Sequence, residues 1–70
     1  MDRENFVGEV TTRLAEVSGD VNWIAGLSDN NSEIHVMVND FRMSVVIGDN
    51  GIDYVVGEIF KSYSEFLSNK

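Results

Sequence analysis

The stretch Glu33–Ile47, EIHVMVNDFRMSVVI, decides the fold of this chain. Apolar and polar residues alternate on both sides of Asn39-Asp40, with the period of two that a half-buried strand requires. Asn and Asp tolerate the positive φ of a tight turn. A two-residue turn at this point puts six apolar residues on one face, pairing Val38 with Phe41, Val36 with Met43 and Ile34 with Val45. The sequence therefore predicts a β-hairpin with strands Glu33–Val38 and Phe41–Ile47.

A helix is predicted ahead of the hairpin, over residues 3–17. One apolar stripe recurs there at helical spacing, formed by Phe6, Val10, Leu14 and Val17. Asp2 is placed to cap the start of this helix, and Gly19 is placed to end it.

A first strand, Val21–Leu27, is predicted between this helix and the hairpin. Its alternation groups Trp23 with Val21, Ala25 and Leu27. The turn cluster at residues 28–32 does not define the register with the next strand, so the face taken by Trp23 stays open.

A second helix is predicted from Ile52 to about Leu67, with Asp49 or Asn50 as its cap. Its broad apolar stripe consists of Ile52, Val55, Val56, Ile59, Phe60, Tyr63, Phe66 and Leu67.

The predicted element order is α-β-β-β-α in a single globular domain, residues 1–70. The expected fold is an α+β domain with a three-stranded antiparallel sheet and two helices packed on one face. The opposite face is then open to solvent. It carries Asn22, Ile24, Glu33, His35, Met37, Arg42, Ser44 and Val46.

Composition excludes several classes of protein. The chain has no cysteine, so disulfides and thiolate metal sites are excluded. No apolar run is long enough to cross a bilayer, and the start has no signal-like segment. With 43% hydrophobic residues the chain can form a core. We expect a soluble cytoplasmic protein that does not bind membranes.

Charge is distributed unevenly along the chain, whose net charge is −7. Between Leu14 and Phe60 the only base is Arg42, against eight acids: Glu16, Asp20, Asp29, Glu33, Asp40, Asp49, Asp53 and Glu58. Such a surface repels nucleic acid and is attracted to basic surfaces. Excess acid that only maintains solubility is the alternative interpretation.

Residues for catalysis are scarce. His35 is the only histidine, and no serine lies in a recognised nucleophile motif. Asp49, Gly51 and Asp53 faintly resemble a calcium loop but lack its alternating ligands and closing glutamate. We expect no enzymatic activity, no metal and no cofactor.

The connections of an α-β-β-β-α chain alternate between the two ends of its sheet. One end receives Asp20, Asn22, Asn39 and Asp40. The other receives Asp29, Asn30, Asn31, Glu33, Asp49, Asn50 and Asp53. Strands lie about 4.8 Å apart, so each end groups negative and amide oxygens within roughly 5–10 Å, similar to a nucleic-acid backbone. Ordinary turn chemistry is the alternative explanation, because Asp and Asn are common turn residues.

Four segments of the chain are similar to those of a known family: GDV at 19–21, LSDNNS at 27–32, VMVND at 36–40 and VVGEIFKS at 55–62. On these segments, residues 4–67 resemble the small acidic anti-CRISPR proteins of phages, specifically the α-β-β-β-α inhibitors of the type II RNA-guided nuclease. In that family, acids and amides at these turns occupy the basic cleft that reads the short duplex motif beside the target. The resemblance implies that Asp20, Asn39 and Asp40 are the leading contacts, followed by Asp29.

Two functional hypotheses follow. The first is a non-enzymatic inhibitor, present in the cytoplasm of the infected bacterium, that mimics nucleic acid. Its partner is a basic nucleic-acid-binding protein, for which the resemblance implies a CRISPR effector nuclease. Its candidate residues are Asp20, Asn39, Asp40, Asp29, Glu33, Asp49 and Asp53. This monomer or weak dimer is not expected to bind nucleic acid directly.

The alternative is an assembly or interaction module that uses the open sheet face or a strand edge.

Overall fold

The computed structural model describes residues 3–69. Its elements are helix α1 (Arg3–Ser18), strands β1 (Ile24–Leu27), β2 (Glu33–Val38) and β3 (Phe41–Val46), and helix α2 (Ile52–Ser68). The strands form one antiparallel sheet in the order β1-β2-β3. This is the predicted α+β fold with the element order α-β-β-β-α. Asp2, the predicted cap of the first helix, lies outside the described residues.

The hairpin has the register that the alternation predicts. Val38 lies opposite Phe41, Val36 opposite Met43, and Ile34 opposite Val45. Beyond β3 the Ile47 amide donates to the Ser32 carbonyl at 2.9 Å, which continues the ladder by one residue. The prediction that β3 extends to Ile47 is therefore wrong only by this boundary residue, whose backbone remains hydrogen-bonded to the residue before β2.

Strand β1 is shorter than predicted, because residues 21–23 do not pair with β2. The Asn22 amide instead donates to the Asp20 side chain at 2.8 Å, which closes a local turn before the strand begins. Val21 is consequently 86% exposed, so the alternation that groups it with Trp23 on one face is wrong at this position. Trp23 is buried at 8% exposure, which answers the question that the sequence left open.

Both helices pack on the apolar face of the sheet, α1 against β1 and α2 against β3. The buried core combines Phe6, Val10 and Leu14 from α1, Val55, Ile59 and Tyr63 from α2, and the inward residues of the strands. Trp23, Phe41 and Tyr63 meet in this layer with ring centroids 5.1–6.3 Å apart. Trp23, in the segment before β1, makes edge-to-face contacts with both other rings, and the tilted Phe41–Tyr63 pair connects β3 with α2.

The apolar stripes extend less far along the helices than predicted. Val17 is 53% exposed and Leu67 is 47% exposed, so neither belongs to the core. In the last turn of α1 the residue that faces Trp23 is Ser18, whose hydroxyl accepts the indole N–H. At the end of α1, the Ser18 hydroxyl therefore makes the contact with the core that the hydrophobic periodicity predicts for the Val17 side chain.

The helix ends also differ from the prediction at one point. Gly19 has a φ of +72°, and its amide donates to the Ala15 carbonyl, as expected for a glycine that ends α1. Helix α2, however, has Gly51 as its N-cap and no side-chain cap bond. Neither Asp49 nor Asn50 caps it, because the Asn50 amide group is directed to the Val46 carbonyl at 3.5 Å.

Neither α1 nor α2 has the combination of length and apolar character that a bilayer span requires, within the described residues 3–69.

Replacing Ile59 by Ala should reduce the free energy of unfolding by about 2–5 kcal/mol, because the side chain is fully buried and its removal leaves a cavity. Urea unfolding followed by circular dichroism measures this loss. Val17→Ala is the control, since Val17 is largely exposed and its truncation should change stability by less than about 0.5 kcal/mol. Equal losses for the two variants would contradict the assigned core.

Candidate functional site

Two of the acidic turns meet at one end of the sheet, which we call the hairpin end (residues 18–23 and 39–40). The Asn39 amide Nδ2 donates to Asp20 Oδ2 at 3.1 Å across 19 residues of sequence. The α1–β1 connection and the β2–β3 turn are therefore in direct contact, as the alternation of connections predicts. Asp40 follows Asn39 in the same turn, so the three leading candidate residues belong to one surface.

Local hydrogen bonds explain how Asp20 is held. Its Oδ1 accepts from the Asn22 amide at 2.8 Å and its Oδ2 from Asn39. The Asp20 amide donates to the Ser18 hydroxyl at 3.2 Å. Each carboxylate oxygen has more than one acceptor site, so both remain able to accept a hydrogen bond from a partner. Asp20 is thus both a turn residue and a fixed negative group at the surface.

Ser18 anchors the hairpin end to the core. Its hydroxyl donates to the Leu14 carbonyl at 2.6 Å and accepts from Trp23 Nε1 at 2.9 Å. The same oxygen receives the Asp20 amide, so one hydroxyl connects the end of α1, the buried indole and the acidic turn. This arrangement satisfies the polar atom of a buried Trp and fixes the position of Asp20 relative to the core.

The β2–β3 turn presents Asp40 to solvent. Asn39 adopts a φ of 53°, in the left-handed region that Asn tolerates. Asp40 is exposed, and its carboxylate has no hydrogen-bond or ion-pair partner among residues 3–69. Of the three leading candidates at this end, Asp40 therefore has the most accessible charge.

The opposite end of the sheet, which we call the loop end (residues 28–33 and 47–53), is organised around Asn30. Its Oδ1 accepts from both hydroxyls and one amide of the flanking serines, Ser28 and Ser32, at 2.6–3.1 Å. The Ser28 hydroxyl also accepts from the Glu33 amide at 3.1 Å. The side chains of Ser28, Asn30 and Ser32 therefore bond to the loop itself.

The acids of the loop end do not form a cluster. Among the described residues, Asp29, Glu33 and Asp49 make no side-chain contact with one another or with a base. Asp29 and Asp49 are exposed, and Glu33 is half-buried at the start of β2. These residues thus lie at one end of the sheet, as the order of the connections predicts, but their side chains do not contact one another.

Asp53 has a basic partner that the sequence did not indicate. The Arg13 guanidinium of α1 forms an ion pair with the carboxylate of Asp53, which lies 40 residues further along the chain. It also forms an ion pair with Glu9 on the same helix, at 3.4 Å. These bonds, first of all the one to Asp53, raise the pKa of Arg13, so the guanidinium keeps its charge. The interpretation of Asp53 as an unneutralised carboxylate is therefore wrong, although its side chain remains largely exposed.

His35 and Ser44 form the one notable polar pair of the open sheet face. His35 Nδ1 lies 2.6 Å from the Ser44 hydroxyl oxygen, across β2 and β3. Within residues 3–69, no group of three His, Asp or Glu side chains converges in a way that could hold a metal ion. No third side chain orients His35 in the described part of the chain, so this pair lacks the arrangement of a nucleophile, base and orienting group.

Comparison with protein-family models, with curated proteins and with solved structures found no match to this chain.

Sequence reasoning missed Ser18 and Arg13, which organise the candidate residues. Both act through contacts that tertiary structure creates, Ser18 with a buried indole and Arg13 with a distant helix. Serine and arginine are unremarkable in an amphipathic helix, so no local pattern distinguishes them. Only the position of Ser18 beside Gly19 at the helix end hints at a role in the turn.

Ser18→Ala should lower the free energy of unfolding by about 1–3 kcal/mol, because the Trp23 N–H then stays buried without an acceptor. Urea unfolding monitored by the fluorescence of this single Trp measures the loss. Ser64→Ala in α2 is the matched control and should have a much smaller effect. If both variants have the wild-type free energy of unfolding, Ser18 does not anchor the hairpin end.

Proposed function

We propose that this protein is a non-enzymatic inhibitor that occupies a basic nucleic-acid-binding surface of another protein. The hairpin end, with Asp20, Asn39 and Asp40, makes the principal contact. The contact between Asn39 and Asp20 is the observation that supports the proposal, because it joins two acidic turns into one surface. Binding of nucleic acid by the inhibitor itself is not expected, since the chain carries a net charge of −7.

The chemistry of the hairpin end suits a site lined with Lys and Arg. It offers a fixed carboxylate at Asp20, an exposed carboxylate at Asp40 and an amide carbonyl at Asn39. Carboxylate oxygens accept charge-assisted hydrogen bonds from guanidinium and ammonium groups, as phosphate oxygens do. Asp20 and Asn39 are in direct contact at 3.1 Å and Asp40 follows Asn39 in the same turn, so the three groups form one compact surface to which more than one basic side chain can bind.

Pre-organisation favours the hairpin end over the loop end. Ser18 and Asn39 hold Asp20 in place before any partner arrives, so little conformational entropy is lost on binding. At the loop end, Asn30 is occupied by its own loop and Asp53 is paired with Arg13. Asp29, Glu33 and Asp49 are assigned a peripheral role that increases the rate of association by long-range attraction.

A CRISPR effector nuclease is the particular partner that we propose. This choice rests on the resemblance to the α-β-β-β-α anti-CRISPR proteins, whose turns correspond to residues 19–21, 27–32 and 36–40. Inhibition would occur by occupation of the cleft that recognises duplex DNA. No cofactor or metal is required by such a mechanism, because the inhibitor performs no chemistry.

The double variant Asp20→Asn, Asp40→Asn tests the role of the hairpin end. Asn keeps a carbonyl oxygen for the Asn22 amide, and its NH2 group can donate to the carbonyl oxygen of Asn39 once the Asn39 amide flips, so both contacts are retained while two charges are removed. Each lost charge-assisted contact should cost roughly 1.5–3 kcal/mol of binding free energy. Cleavage of target DNA by a purified type II effector, titrated with the inhibitor, measures the loss of inhibition.

Two control variants accompany this test. Glu4→Gln, Glu65→Gln removes the same two charges from exposed helix positions and should inhibit almost like the wild type. Met37→Ser, Val46→Ser alters the open sheet face and should also have little effect. An inactive face variant beside an active Asn variant would reject the proposal and favour an interaction module that uses the open face.

A further inference from the structure

The open face of the sheet is made of three rows of side chains that cross the strands. The row next to the hairpin end contains Ile24, Met37 and Arg42. The middle row contains Gly26, His35 and Ser44, and the row next to the loop end contains Glu33 and Val46. No helix covers this face, because α1 and α2 both pack on the other side.

Apolar groups are exposed at diagonally opposite corners of this face. Ile24 is 60% exposed and Val46 is 59% exposed, and the half-buried Met37 lies beside Ile24. Gly26 adds no side chain to the middle row, and a Cβ placed there would meet nothing within 4 Å. The sheet therefore has no internal reason for a glycine in β1, where this residue weakens the strand. A shallow depression in the middle row is the result.

Two opposite charges on this face have no partner within the part of the chain that the structure describes. Among residues 3–69, neither the Arg42 guanidinium nor the Glu33 carboxylate forms an ion pair or a side-chain hydrogen bond. They belong to the two outer rows, four residues apart along the strands, which is about 13 Å. They cannot reach each other within one molecule, yet together they make the face locally neutral on a strongly acidic protein.

A two-fold axis along the middle row would satisfy both charges. Rotation about this axis lays the hairpin-side row of one copy on the loop-side row of the other. Arg42 then faces Val46 of the second copy, and Glu33 of the second copy lies one strand away, within reach of the long Arg side chain. The operation is symmetric, so it forms the Arg42–Glu33 pair twice.

We propose that a second copy of this chain docks on the open sheet face, in a face-to-face dimer with two reciprocal Arg42–Glu33 pairs. This occupant is favoured by the charges, since the face offers one positive and one negative group in a self-complementary arrangement. It is independent of the inhibitor function, which uses the hairpin end. The dimer leaves Asp20, Asn39 and Asp40 free at the edge of the sheets.

The size of the face sets the strength of the association. Two strands of six residues and one of four cover at most about 14 by 20 Å, or roughly 250–300 Å² on each copy. Stable interfaces bury about 800 Å² per partner, so the dimer is weak and forms in rapid exchange. We expect a dissociation constant on the order of 0.1–1 mM.

Sedimentation velocity of the wild type between about 20 μM and 1 mM, in 0.15 M salt, tests the dimer directly. The average mass should increase with concentration from the 7.8 kDa of one chain toward that of two. Backbone amide NMR shifts over the same range should change in β1, β2 and β3, and remain constant at residues 20, 39 and 40. A wild type that stays monomeric at 1 mM overturns the proposal, as do shifts confined to the turns.

A charge exchange tests the proposed geometry. Arg42→Glu and Glu33→Lys should each abolish the association, because each places like charges opposite one another. The double variant restores opposite charges and the wild-type net charge, and it should dimerise again. Failure of the double variant to associate, while circular dichroism shows it folded, contradicts the proposed pairing.

Net charge is controlled separately. Lys61→Glu changes the total charge as Arg42→Glu does, and Glu4→Lys changes it as Glu33→Lys does, both at exposed helix positions. These controls should dimerise like the wild type. If they abolish association to the same extent as the face variants, total charge governs it and the reciprocal pairs do not exist.

Discussion

The register of the β2–β3 hairpin is the constraint on which the rest of this structure depends. Pairing Val38 with Phe41 puts every inward residue of both strands on the same side of the sheet. A shift by one residue would turn that set to solvent and remove the surface on which α1 and α2 pack. Because β2 is the central strand, its register also determines where β1 pairs and which side chains form the open face.

Burial and charge are separated in space as a result of this register. The core takes the apolar residues of both helices and one sheet face, and no polar or charged residue among the described ones is buried with them. The acids are left at turns, at exposed helix positions and at one point of the open face. A chain of 70 residues with a charge of −7 can fold because its carboxylates remain hydrated at the surface. The same separation leaves them available to a basic partner.

The acidic turns have structural roles that do not exclude binding. Asp20 closes the turn before Trp23, and Asn39 adopts the left-handed backbone of the hairpin turn. These roles explain why Asp and Asn occur there, so their presence alone is weak support for nucleic-acid mimicry. The stronger support is their mutual contact, because it makes one rigid surface from two segments. Ser18 extends this rigidity into the core through the indole of Trp23.

Local patterns in the sequence determined most of the fold and the position of the candidate residues. Alternation over residues 33–46 specified the hairpin, its turn and its register, and helical periodicity specified α1, α2 and most of their buried residues. These patterns are reliable here because the period of a strand or helix directly records which side is buried. The sheet end occupied by each turn followed from the order of the elements alone.

Only the tertiary structure decided the features that depend on contacts between distant segments: the start of β1, the end of the buried stripe of α1 and the pairing of the charged side chains. The bonds of Asp20 and Ser18 hold residues 21–23 outside the sheet, so that β1 begins only at Ile24, and the same serine replaced Val17 at the end of the buried stripe. Arg13 neutralised an acid 40 residues away, while Asp40 at the hairpin turn kept its free charge. Such outcomes are not encoded in any local pattern, since hydrogen bonds and ion pairs depend on side-chain positions that exist only after the elements have packed.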